Sequence, residues 1–171
     1  MKTTEPLGRR PFVKRVLAAG AALSGWKALT PPTEARASQE PGVGALDHVA
    51  IPIQNVDAMA AFYRGLGFRI METGSRISIH FGDQKMHFHR PSTWQNPSFT
   101  LRARAAQPPC GDFCWVWEGT DDALRGLIER VGAEIEAEGE RVGGRDGGTA
   151  TGYSVYIRDP DGNLLEFIRY A

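Results

Sequence analysis

One arrangement of residues occurs twice in this chain, and it limits the fold more than any other feature. Leu46–Ile53 has the β-branched content of a strand, Asn55-Val56-Asp57 supplies a helix start, and Met59, Phe62, Tyr63 and Leu66 follow at helical spacing before Gly67. Strands are predicted at Phe68–Thr73, Ile77–Phe81 and Lys85–His89, with a turn at Gly82-Asp83. The second copy runs through a strand at Asp112–Trp117, a cap at Thr120 and an apolar helix face of Leu124, Leu127, Ile128 and Val131 ended by Gly132. Strands at Glu134–Glu138, Tyr153–Arg158 and Leu164–Tyr170 complete it, with a glycine-rich loop over 143–148 and the turn Asp159-Pro160-Asp161-Gly162-Asn163. Both halves read β-α-β-β-β, and two copies of one unit imply a pseudo-twofold architecture. The spacings match His48 with Asp112 and His89 with Glu166.

Between the copies, Pro91–Pro109 reads as a linker. The organisation is therefore a module over 45–90, the linker 91–109 and a module over 110–171, preceded by a flexible lead-in at 38–44. The overall balance of 20 basic and 20 acidic residues hides a split. Residues 1–37 hold seven cations and two acids, which leaves 13 cations and 18 acids downstream, or +5 against −5. A broad basic face for nucleic acid is excluded, and no apolar run is long enough to span a bilayer. The basic head has the order of an export signal, and Arg9-Arg10-Pro11-Phe12-Val13-Lys14 resembles the twin-arginine signal. That resemblance implies recognition of residues 9–14 by the twin-arginine export machinery, removal of residues 1–37 and a periplasmic location. Cys110 and Cys114 would then meet an oxidising compartment; an extended segment between them puts their Cα atoms about 13 Å apart, too far for a bridge, whereas a turn at Gly111 would bring them within reach.

Strand alternation picks out candidate functional residues. His48 shares a face with Leu46 and Ala50, opposite Val49 and Ile51. Asp112 and Cys114 share a face, and Phe113, Trp115 and Trp117 take the other. Glu166 shares its face with Leu164 and Ile168, and a carboxylate on so apolar a surface requires a cation or a hydrogen-bond donor. His87 and His89 lie on one face of their strand, and the sequence leaves open which of them is the functional one.

Leu46-Asp47-His48-Val49-Ala50-Ile51-Pro52, Ala61–Phe68 and above all Arg158-Asp159-Pro160-Asp161-Gly162-Asn163-Leu164-Leu165-Glu166-Phe167 resemble the vicinal oxygen chelate superfamily. This superfamily includes glyoxalase I, fosfomycin- and bleomycin-resistance proteins and extradiol dioxygenases. The resemblance covers nearly all of 45–171. It implies an α+β fold in which two βαβββ modules pair into a cup-shaped mixed sheet with helices outside, and a homodimer. It also implies a metal site drawn from His48, His89, Asp112 and Glu166, with Asp112 departing from the usual His.

Such a donor set suits Fe, Mn, Ni, Co or Zn as a divalent ion. Glu166 is the expected catalytic base, and His87, Cys114 and Tyr63 are weaker candidates for the substrate pocket. The function so implied is a metal-dependent glyoxalase-like lyase or an extradiol-type dioxygenase acting on a small oxygenated molecule. The alternative is a metal-free small-molecule binder of the bleomycin-resistance kind.

Overall fold

A computed structural model of the chain describes residues 42–74 and 76–171. Residues 1–37, read above as an export signal with a twin-arginine motif, and most of the lead-in lie outside the described residues. The first module comprises β1 (His48–Pro52), α1 (Val56–Gly65), β2 (Arg69–Thr73), β3 (Arg76–Phe81) and β4 (Gln84–His89). A short helix α2 (Pro91–Trp94) opens the linker, with proline at its first turn where the missing N–H costs nothing. The second module comprises β5 (Asp112–Val116), α3 (Asp121–Arg130), β6 (Ala137–Val142), β7 (Thr151–Arg158) and β8 (Leu164–Arg169).

Each module forms its own four-stranded mixed sheet, in the orders β1-β4-β3-β2 and β5-β8-β7-β6. In both, the first and last strands pair in parallel and the remaining neighbours are antiparallel. The α+β class and the repeated β-α-β-β-β unit are as the sequence predicts. β6 starts three residues later than the predicted Glu134, because Glu136 is the first residue of that segment to bond to the neighbouring strand, through Tyr156 O.

The modules share one core. Ile51, Met59, Tyr63, Ile77 and Phe88 of the first and Leu124, Ile128, Val155, Ile157 and Leu165 of the second belong to a single buried cluster. Packed against it, the partly buried Trp115 ring lies 5.2 Å from Phe68, 6.0 Å from Phe81 and 6.3 Å from Tyr63, centroid to centroid. The two helices approach closely where α1 ends: a Cβ on Gly65 would stand 2.6 Å from Val131 Cγ1. Only a residue without a side chain fits there. Each sheet thus gives its helix-bearing face to the common core, and its other face stays open.

The turn 159–163 ties the halves together. The buried Asp159 carboxylate accepts hydrogen bonds from Tyr63 Oη at 3.0 Å, Asn163 Nδ2 at 2.8 Å and the backbone N–H groups of Asp161 and Asn163. Asn163 Oδ1 in turn accepts from the N–H groups of Cys110 and Gly111, which sets the start of β5 beside β8. Gly162 takes φ +91°, a value that disfavours any side chain at that corner.

Candidate functional site

Two hydrogen bonds in each module fix the internal alignment. Lys85 N donates to Asp47 O as Leu164 N donates to Gly111 O, and Ile53 N donates to His89 O as Trp117 N donates to Ile168 O. Residue 85 therefore corresponds to 164, 87 to 166 and 89 to 168. The structural counterpart of Glu166 is His87, and the match with His89 inferred from spacing is off by one ladder step. Pairing across the parallel strands agrees, since Ala50 faces His87 as Cys114 faces Glu166.

The open face of the first sheet carries every histidine of the chain. Strand alternation puts His48, His87, His89 and His80 there with Arg69, Arg76 and Lys85, and no carboxylate accompanies them on these strands. Asp47 accepts a hydrogen bond from His48 at Nδ1, which leaves Nε2 free to face outward. Burial holds the His87 ring below its ordinary pKa, helped by the charges of His89, Lys85, Arg76 and His48. Such a ring is neutral at neutral pH and keeps a lone pair. His89 is only 8% exposed, lies edge-on to both His87 and Phe99, and is also shifted down by burial.

The open face of the second sheet carries Asp112, Cys114 and Glu166, together with residues the sequence reading did not single out. Ser154 Oγ donates to Glu166 Oε1. Cys114 and Tyr156 are the cross-strand neighbours of Glu166 on either side. Burial first, then the Glu166 carboxylate beside it, push the Cys114 thiol up to about 12. Tyr156 is raised for the same reasons, burial first, while the Arg141 guanidinium lies 5.5 Å over its ring and opposes the shift. Alternation along Gly152, Ser154, Tyr156 and Arg158 was the signal that could have found Ser154 and Tyr156.

These two faces are not brought together within the chain. Both sheets meet through their opposite sides in the common core, so the open faces turn outward. Among the described residues no group of three or more His, Cys, Asp or Glu is placed to hold a metal ion. Tyr63, a weak pocket candidate from sequence, is fully buried in the core and bonded to Asp159, away from either open face. Cys110 and Cys114 are both free thiols.

A family model described as the glyoxalase/bleomycin resistance protein/dioxygenase superfamily matches residues 45–167. The chain belongs to that superfamily. Among curated relatives, a glyoxalase domain-containing protein, RDO1, of Mycosarcoma maydis is 32% identical over 154 residues, covering 86% of this chain and 82% of that protein. Virulence protein STM3117 of Salmonella typhimurium is 29% identical over 134 residues, covering 75% and 86%. Among solved structures, an integron cassette protein of V. cholerae aligns with a TM-score of 0.66 at 28% identity, over 76% of this chain and 98% of that one. The separate four-stranded sheets described above are thus the superfamily's fold in this chain.

Proposed function

We propose that this superfamily member is a metal-dependent enzyme, a glyoxalase-like lyase or extradiol-type dioxygenase acting on a small oxygenated substrate, and that it works as a homodimer. The observation that carries the reading is the division of donors: imidazoles occupy one open face and carboxylates the other. A second copy of the chain would complete each face. His48 and His87 of one protomer would join Asp112 and Glu166 of its partner.

The chemistry of these donors fits a divalent ion. Two imidazoles and two carboxylates form a mixed nitrogen and oxygen set suited to Fe, Mn, Ni, Co or Zn. Orientation of the His48 ring by Asp47 is the usual outer support of a metal-binding histidine. His89, in the expected ligand set, is set back under the linker, and His87 takes its place in this reading. When bound, the ion would polarise substrate oxygens as a Lewis acid.

The chain's own groups do the rest. Glu166 is oriented by the Ser154 hydroxyl and presents its other oxygen as a proton acceptor. Tyr156 and Cys114 stay protonated beside it and serve as donors to whatever charge develops there. Export is part of the proposal, supported by Arg9-Arg10-Pro11-Phe12-Val13-Lys14, and places the mature protein in the periplasm.

Elemental analysis of the purified protein with its oligomeric state tests this reading. A dimer with stoichiometric metal, lost in Glu166→Ala, is expected. A chain that remains monomeric, or that gains no thermal stability from any of these ions, would be a metal-free binder instead.

A further inference from the structure

The linker covers a small cavity at the end of the first sheet. Trp94 Nε1 donates to Ile53 O at 3.0 Å, Phe99 meets the His89 ring edge-on, and residues 101–106 complete a roof over β1 and β4. The space beneath is about 80 Å³, with walls formed by Ala50, Pro52, Leu101 and Ala106. His89 and Arg102 bring the uncommitted polar groups to it.

Both lack partners. His89 is 8% exposed, and its ring makes no hydrogen bond among the described residues. Arg102 Nε is buried without a partner, while its Nη1 donates to Ala103 O and Arg104 O, which fixes the guanidinium in place. Arg102 Nε is thus a buried donor left unsatisfied, and the cavity calls for an acceptor that fits the space. Among the described residues no carboxylate lines the cavity.

We propose that this cavity binds a small monocarboxylate of about acetate size. Its oxygens accept from Arg102 Nε and from a ring N–H of His89, and its methyl end lies toward Ala50 and Ala106. Size favours a ligand of a few heavy atoms, because the space of about 80 Å³ is only several times the ~10–15 Å³ that one water requires. Charge sets the class, because one guanidinium balances one negative charge and a dianion would leave an unpaired charge buried. Occupancy would bridge the linker to β4 and hold the roof closed. The inference does not depend on the metal site.

The test uses the full chain stripped of metal with a chelator and titrated with sodium acetate, with sodium chloride at equal ionic strength as control. The His89 ring resonances should shift saturably with acetate only, and the thermal midpoint should rise. Binding should weaken about tenfold or more in Arg102→Gln, the scale of a lost charge-assisted hydrogen bond. It should also be lost in Ala106→Leu, which fills the space. In the wild-type chain formate should bind and benzoate should not, a comparison that needs no variant to fold. A shift shared with chloride, unchanged affinity in Arg102→Gln, or benzoate binding as tightly as acetate would each overturn the proposal. His48→Ala, which removes a proposed metal ligand, should leave acetate binding unchanged, so the two readings fail separately.

Discussion

Asp161, in the second module, caps the helix of the first by bonding Asn55. Its Oδ1 accepts both the backbone N–H of Asn55 at 2.9 Å and the side-chain Nδ2 at 2.8 Å, and its Oδ2 accepts from Gln54 N. Asn55 is the N-cap position of α1, yet its own side chain caps nothing. The carboxylate that anchors this helix start, through the N-cap residue and the one before it, comes from 106 residues away in sequence. Thr120 caps α3 in the ordinary local way, by accepting from Ala123 N.

Asp161→Ala should therefore destabilise the protein by about 1–2 kcal/mol, the scale of a lost N-cap plus a charge at a helix start. Thr120→Ala should cost about 1 kcal/mol. Denaturant unfolding of both variants checks this, and equal proteolytic resistance of the intermodule region in Asp161→Ala and wild type would contradict the tie between modules.

Gly65→Ala should destabilise, although alanine is the better helix former by about 1 kcal/mol. The new Cβ meets Val131 Cγ1 at 2.6 Å, and overpacking of this kind costs about 1–3 kcal/mol. Adding Val131→Ala removes the obstructing methyl groups. The double variant should be more stable than the sum of the two single losses, a coupling that a double-mutant cycle by urea melts will measure.

Co-expressed His48→Ala and Glu166→Ala chains should complement. In the mixed dimer, one site combines both defects, and the other takes intact His48 from one protomer and intact Glu166 from its partner. Roughly half a metal equivalent per chain should return in the isolated heterodimer, while each variant alone binds about none. Failure of the mixed dimer to bind metal would mean that each chain supplies its own complete site.

The Cys114 thiol gives a pH prediction with a definite sign. Burial and the Glu166 carboxylate push it up to about 12 from its ordinary 9.0. The native chain therefore keeps a proton that the unfolded chain releases, and this contribution to stability is full below about pH 9 and lost as the pH rises toward 12. In a metal-free Cys110→Ser background, iodoacetamide should modify native Cys114 at least about tenfold more slowly at pH 8 than the unfolded chain does. Glu166→Gln should speed the reaction.

The sequence made the repeat legible because strand alternation, helical spacing and terminal glycines all pointed the same way. It also placed His48, Asp112 and Glu166 on the faces where they stand. It matched His89 rather than His87 with Glu166 because the turns differ in length: β3 and β4 join through Gly82-Asp83, whereas β7 and β8 join through the five residues 159–163. Spacing counted across unequal turns slips the ladder, and only backbone hydrogen bonds restore it. Tyr63 was ambiguous for another reason. A tyrosine on an apolar helix face looks the same whether its hydroxyl reaches a substrate or a buried carboxylate, and the partner, Asp159, is 96 residues away. The outward turn of the two open faces left no local mark, since it depends on which sides of the sheets share a core.

That shared core divides the strands into two sets of positions. Residues 49, 51, 86, 88, 113, 115, 165 and 167 hold the modules together, and their neighbours 48, 50, 87, 112, 114 and 166 hold almost none of the packing. Selection can therefore exchange a donor, a charge or a pocket wall on one side of a strand while the other side keeps the architecture intact. Chemistry and scaffold are inherited on alternate residues, which makes a chain of this kind easy to repurpose.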